Sequence, residues 1–225
     1  LIVHNCGFGG GRGALQNMAA NYGMHLDDGQ AKEIVTEWRA ANPWAVDFWY
    51  LLRDKFREAM DTPNYPIACG MLVYTFLPDY LGGSMLCRLP SGRTLTYRHL
   101  KWTREELIDD KGEVKLGEWE LTFARGFGRV KLWHGILAEN VTQAVAADVL
   151  RSTLVRMRET PSMPVVRAHT HDEILVEVHV DRAEDVAERL VAVMEQGFEW
   201  SAGLPLKAEA TVGYSYSKCE SAHGL

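Results

Sequence analysis

Pro164-Val-Val-Arg-Ala-His-Thr-His-Asp-Glu-Ile-Leu-Val-Glu-Val-His-Val180 is the stretch on which the fold of this chain turns. Two β-rich runs, 164–168 and 174–180, flank His169-Thr-His-Asp-Glu173, where the chain has to reverse. The pattern predicts a β-hairpin with Asp172 and Glu173 at its turn. An acidic pair set among Val165, Val166, Ile174, Leu175 and Val176 is expected to be buried, which is costly unless something offsets the charge. A cation does so. Carboxylate oxygens on a rigid turn suit a hard ion such as Mg²⁺, which keeps some water and takes further ligands from phosphates. The same two residues also suit a plain polar hairpin tip.

Outward from the hairpin, a helix over 139–158 carries Val141, Val145, Leu150 and Leu154 at helical spacing. A second helix spans 182–196, and 205–212 reads as a last strand. Helix, strand, turn, strand, helix and strand in that order imply an α+β region with an antiparallel sheet. At the other end, Gly7, Gly9, Gly10, Gly11 and Gly13 crowd around Phe8 and Arg12, which permits unusual backbone angles or close backbone approach. Three helices follow. The first covers 14–22 and ends at Gly23, a natural C′ glycine. The second starts near Asp28 and turns Ile34, Val35 and Trp38 to one side. The third runs over 43–60 from Pro43, which suits a first helical turn. Residues 61–133 show no helical period, residues 104–115 read as a charged, exposed excursion, and Leu89-Pro-Ser-Gly-Arg-Thr-Leu-Thr-Tyr97 reads as a hairpin turning at Pro90, Ser91 and Gly92.

The 225 residues suffice for one large or two small domains, and 47% apolar with 24% charged residues is ordinary for a water-soluble globular protein. No apolar run reaches bilayer-spanning length, so no membrane partner is expected. Cys6, Cys69, Cys87 and Cys219 are scattered, which argues against a zinc site or disulfide framework and fits a reducing cytoplasm. A net charge of −6 does not by itself suggest nucleic acid. Local base is present, however, at Arg88, Arg93, Arg98, His99, Lys101 and Arg104 and again at Arg125, Arg129 and Lys131, as a phosphate track or as a solvated loop.

His171-Asp-Glu-Ile-Leu-Val-Glu-Val178 resembles motif C of family A (Pol I-like) DNA polymerases. By that resemblance Asp172 is a catalytic metal ligand, Glu173 its acidic neighbour, and His171 lies near the primer end. Glu139-Asn-Val-Thr-Gln-Ala-Val-Ala-Ala-Asp148 is similar to the family's glutamine-bearing palm helix, so Gln143 is expected to touch the minor groove of primer–template DNA. Groove acceptors there are much alike for every base pair, so the contact tests pair shape rather than sequence. Gly7-Phe-Gly-Gly-Gly11 resembles the end of motif B in the fingers, particularly of the phage-type branch, which places Phe8 and Gly9 beside the templating base and the nucleotide. The matches cover residues 6–218 in the family's order.

The resemblance implies an α+β chain with a helical fingers part over 6–128 and a palm part over 129–225 carrying the motif C hairpin. It also implies deoxynucleoside triphosphates as substrates, two Mg²⁺ ions, and a bacterial or phage-infected cytoplasm. Two departures stand out: Ile136 replaces a lysine common in the phage branch, and the motif A aspartate has no counterpart here. Two-metal phosphoryl transfer takes carboxylates from both segments. The chain is therefore expected to be inactive alone, its metal site completed by an aspartate from a missing N-terminal polymerase portion.

Leu1-Ile-Val-His-Asn-Cys6 resembles the C-terminal splice junction of an intein, in which an apolar strand ends in His-Asn before a nucleophile. Asn5 would cyclise onto its own carbonyl, His4 would donate a proton, and the Cys6 thiol would take the upstream segment as a thioester. Residues 1–5 would then be an intein remnant; the competing reading is a divergent motif B. Among other activities, a single-subunit RNA polymerase shares the palm but typically has serine where Glu173 stands. A metallohydrolase could use His169, His171 and Asp172, the two histidines sharing one strand face. A DNA-binding remnant without catalysis is the non-enzymatic alternative.

Overall fold

The computed structural model describes residues 2–104, 106–108 and 114–216, with the side chains of residues 4, 106–108 and 115 outside that description. It divides into two compact units, Leu1–Ala144 and Val145–Leu225, and each is described by itself.

The first unit opens with four helices: α1 (Ile2–Gly7), α2 (Arg12–Asn21), α3 (Asp28–Ala41) and α4 (Pro43–Asp61). Local sequence explains their limits. After α2 the chain turns at Gly23, whose φ of +72° suits glycine. Asp27 caps α3 reciprocally: its Oδ1 accepts from the Gln30 amide at 2.8 Å, and Gln30 Oε1 accepts from the Asp27 amide at 3.1 Å. Pro43 starts α4, whose missing first-turn N–H costs nothing. Cys6, Leu15, Ala31 and Val35 form one core cluster among α1, α2 and α3, with Leu26, Ile34 and Trp38 packed on it.

Beyond α4 lies a six-stranded antiparallel sheet of β1 (Pro66–Cys69), β2 (Leu72–Leu77), β3 (Ser84–Arg88), β4 (Thr94–Thr103), β7 (Glu120–Arg125) and β8 (Gly128–Lys131), in that spatial order. β5 (Glu106–Ile108) and β6 (Val114–Leu116) pair separately as a small ribbon. The hairpin expected around Leu89–Tyr97 is present, with the Leu89 amide donating to the Arg93 carbonyl at 2.7 Å across the turn. The long strand β4 serves two neighbours: its first half pairs with β3 and its second with β7, the register shifting between Arg98 and Lys101. α4 packs on β1 and β2. It buries Ala45, Trp49, Leu52, Phe56 and Ala59, a repeat of four and three residues that keeps one face inward. Phe56 meets Tyr74 and Tyr97 edge-on at centroid distances of 5.4 and 5.6 Å, and Tyr97 meets Phe123 at 5.2 Å. Burial pushes the Cys87 thiol up to about 12 in this core.

The α+β class holds, with a distribution that differs from expectation. Residues 6–128 are helical only as far as Asp61, and the largest sheet among the described residues occupies 66–131. Its strands carry short, mostly apolar runs, such as Leu72–Leu77 and Ser84–Arg88, that a search for helical period passes over. Two strands expected from sequence do not form. Residues 2–7 are helical, which carries Cys6 into the α2–α3 cluster, and 205–212 is irregular and finds no strand partner among the described residues.

The second unit takes in the C-terminal half of α5 (His134–Glu159), then β9 (Val166–Thr170), β10 (Glu173–Val176) and α6 (Ala183–Glu195). Leu150, Met157, Ile174 and Leu190 make its core, with Leu154, Met163, Val166, Val176, Val193 and Met194 around them. Arg156 fastens the end of α6. It donates to the carbonyls of Gln196 and of Gly197 (2.9 Å), and its guanidinium stands 3.9 Å from the Phe198 ring centroid. No helix among the described residues is long and apolar enough to cross a membrane.

Candidate functional site

β9 and β10 pair antiparallel, with Glu173 opposite Thr170 and Ile174 opposite His169. His171 and Asp172 are therefore the two residues of the turn. His171 takes a φ of +45°, positive as at the first residue of the favoured two-residue hairpin turns, a value that histidine tolerates better than most side chains. Ile174, next along β10, is buried and anchors the hairpin in the core of the second unit. The reversal predicted from sequence is where Asp172 stands.

Asp172 and Glu173 are exposed, as are His169 and His171. The burial expected for the acidic pair is not found: Asp172 lies in the turn beyond the last ladder pair, Glu173 opens β10 on the face opposite buried Ile174, and Val165 is itself 73% exposed. The Tyr216 hydroxyl donates to Glu173 Oε2 at 3.0 Å, tying the C-terminal segment to the hairpin. That bond holds the Tyr216 phenol above its usual range. His169 is in β9 whereas His171 has left the strand for the turn, so the two imidazoles do not share a strand face. Among the described residues no three His, Cys, Asp or Glu side chains gather as a metal-ligand group. Asp172 and Glu173 supply hard oxygen donors of the type Mg²⁺ takes, but only from one hairpin.

The glycine turn after α1 is the second feature. Gly9 has a φ of +77°, and an added Cβ would stand 3.0 Å from His134 Nε2 and 3.3 Å from the Trp133 ring. At Gly10 an added Cβ would fall 2.4 Å from Asn5 Oδ1 and 2.6 Å from the Asn5 carbonyl oxygen. The glycines thus let the chain lie against its own helix and against the start of α5. Trp49 Nε1 donates to the Gly7 carbonyl at 2.9 Å, and Arg39 donates to the Gly9 and Gly10 carbonyls at 3.3 and 3.4 Å. Trp49 stacks between Trp38 and His134, at 6.1 and 5.8 Å. Burial, then the charges of Arg53 and Arg39, hold His134 below the ordinary histidine value. Phe8 is half-buried beside this turn. The supporting Trp49, Arg39 and His134 were not foreseen; Trp49 sits on the apolar side of α4 and reads there only as core.

Gln143 is exposed on α5, its Nε2 donating to Glu139 Oε1 at 3.3 Å. It belongs to the first unit and Asp172 to the second. Asp148, five residues further along α5, is buried with Arg151 Nη1 at 3.6 Å. Among the basic residues, Arg93 donates to the Ala144 carbonyl at 2.9 Å, and Arg129 donates to Thr122 Oγ1 and to the carbonyls of Thr122 and His99 at 2.7–2.9 Å. Those two arginines hold structure together. Asn5 and Cys6 are buried, and burial raises the Cys6 thiol, opposed by its hydrogen bond from Asn5 and the nearby Arg39. The side chain of His4 lies outside the described residues.

Compared with known proteins, the chain is 33% identical over 218 residues to a DNA polymerase of Bacillus phage SP02, a match covering 94% of this chain and 31% of that protein. The chain spans about a third of the length of this curated relative. No family profile matches the chain. No solved structure matches it either.

Proposed function

We propose that the chain is the C-terminal part of a family A, phage-type DNA polymerase, with a fingers part over 6–128 and a palm part over 129–225. The observation that carries this reading is the acidic pair at the tip of the β9–β10 hairpin, Asp172 in the turn and Glu173 as the first residue of β10. Similarity to a phage DNA polymerase along 94% of the chain supports it. The reaction is attack of a primer 3′-hydroxyl on the α-phosphorus of a deoxynucleoside triphosphate, with loss of pyrophosphate.

Asp172 would hold Mg²⁺, Glu173 beside it, together with an aspartate from an upstream polymerase portion. When bound, the metal supplies positive charge against the developing alkoxide and the leaving pyrophosphate. The residues of this chain bind and orient. Exposed Gln143 meets the minor groove, His171 stands by the primer end, and Phe8 and Gly9 flank the templating base. By itself the chain binds DNA and polymerises nothing; the working enzyme acts in the cytoplasm of a bacterial or phage-infected cell.

The order His4-Asn5-Cys6 supports residues 1–5 as a splice-junction remnant. Splicing would leave Cys6 as the first residue of the polymerase segment, where its thiol is a core group rather than a reactive one. Mass spectrometry of the mature polymerase should find residues 1–5 gone; their retention returns the helix Ile2–Gly7 to a divergent motif B.

Primer extension tests the main reading. With the upstream portion supplied, Asp172→Ala should abolish extension while primer–template binding persists. Extension at the wild-type rate would overturn it.

A further inference from the structure

Trp102, Trp119 and Trp133 line a hollow of about 300 Å³ on the first unit, with Arg53, Arg57 and Lys131 among the other lining residues. The three tryptophans are 50%, 61% and 38% exposed. Single exposed apolar residues need no explanation, but indoles gathered round one concavity do. β4 brings Trp102, the approach to β7 brings Trp119, the start of α5 brings Trp133, and α4 brings the two arginines. The guanidinium of Arg104 stands 5.3 Å from the Trp119 ring centroid, a cation held against an aromatic face. Glu118 and Glu120 also line the hollow, Glu120 paired with Lys131. Arg53 is paired with Asp54 at 2.7 Å, so the cations that remain to meet a ligand are Arg57 and, beside Trp119, Arg104.

We propose that this hollow stacks an unpaired base of single-stranded DNA, with neighbouring phosphates on Arg57 and Arg104. Aromatic faces flanked by cations match the two surfaces that a single strand offers, a π-face on every base and a charge on every link. Duplex DNA hides its base faces and gains nothing from the tryptophans. The volume sits at the lower end for small-ligand sites and suits one base rather than a folded partner. The strand is the unpaired template, an identification that rests on the polymerase reading; the stacking does not.

The test uses the 225-residue chain and a labelled oligothymidylate, followed by fluorescence anisotropy. Trp119→Ala should weaken binding by roughly 5- to 150-fold, the range for one lost base–aromatic stack, while Trp119→Phe keeps most of it. Arg57→Gln should lower the slope of log affinity against log salt by about 0.7, one phosphate contact on a single strand. Blunt duplex of equal length should bind all variants alike. Unchanged oligothymidylate affinity in Trp119→Ala would overturn the proposal, as would an equal loss on duplex. So would displacement by thymidine monophosphate at concentrations no higher than the oligomer, since the site would then serve free nucleotide. Should Trp119→Ala fail to fold by circular dichroism, an unchanged salt slope in Arg57→Gln overturns the proposal alone. Asp172→Ala should keep oligothymidylate binding in the 225-residue chain and lose extension once the upstream portion is supplied, which separates failure here from failure of the polymerase reading.

Discussion

Thr170 and Glu173 face each other as the last pair of the β9–β10 ladder, which leaves His171 and Asp172 alone to reverse the chain. His171 takes up the left-handed backbone at φ +45°. His171→Gly should therefore fold at least as well as the parent. His171→Val should destabilise by about 1–2 kcal/mol, because a β-branched side chain meets its own carbonyl in that conformation. Urea unfolding of the two variants measures the difference; equal midpoints would show that the turn relaxes to another form.

Glu173 is also held from the far end of the chain by Tyr216. Tyr216 has its pKa raised by donating to that carboxylate. A raised folded-state value means that the tether is complete below the ordinary phenol range, near about 10, and is lost as pH rises through the higher folded value. The ultraviolet titration of the parent minus that of Tyr216→Phe should show one phenol ionising above the ordinary range. A difference curve centred at the ordinary value would show that the tether does not form.

Helices α2, α3 and α4 were legible from local signals, Gly23 beyond α2, Asp28 at the start of α3 and Pro43 at the start of α4, whereas α1 was not. The motif hairpin was legible for the same reason, two apolar runs around a polar turn. The sheet over 66–131 was not, beyond its Leu89–Tyr97 turn. Its pairing is long-range, and β4 changes partner midway along its length, which no local pattern announces. At the site, sequence placed Asp172 and Glu173 on the turn but judged them buried, since it cannot tell which side of a short hairpin faces water. The setting of Gly9 against Trp133 and His134, which follow it by 124 and 125 residues in sequence, depends on tertiary packing alone.

Two glycines of one short stretch should answer oppositely to alanine. At Gly10 the new methyl would meet the Asn5 side chain at 2.4 Å and its carbonyl oxygen at 2.6 Å, so α1 has to move. Gly10→Ala should cost about 1–3 kcal/mol, the usual range for overpacking. At Gly13, in the first turn of α2, nothing lies within 4 Å of the added carbon. Gly13→Ala should stabilise by about 0.5–1 kcal/mol through lower backbone entropy in the unfolded chain. Thermal unfolding of both variants decides it, and a harmless Gly10→Ala would mean that α1 does not pack against the turn.

His134 gives the first unit a pH dependence of defined sign. It stacks on Trp49 at 5.8 Å and tilts against Tyr50 at 5.4 Å, and burial, then Arg53 and Arg39, depress its pKa. The folded chain thus binds this proton less readily than the unfolded chain. Stability from this group is complete above the ordinary histidine value near about 6.5, falls as pH drops toward the lower folded value, and levels off beneath it. In His134→Gln the titrating group is gone while a polar side chain remains. The fall in unfolding midpoint between about pH 7 and pH 5 should accordingly be smaller in the variant than in the parent. Arg53 and Arg39 supply part of the effect, so added salt should shrink it while leaving the part due to burial. Parallel midpoint curves for parent and variant across that window would show that His134 titrates as it does in the unfolded chain.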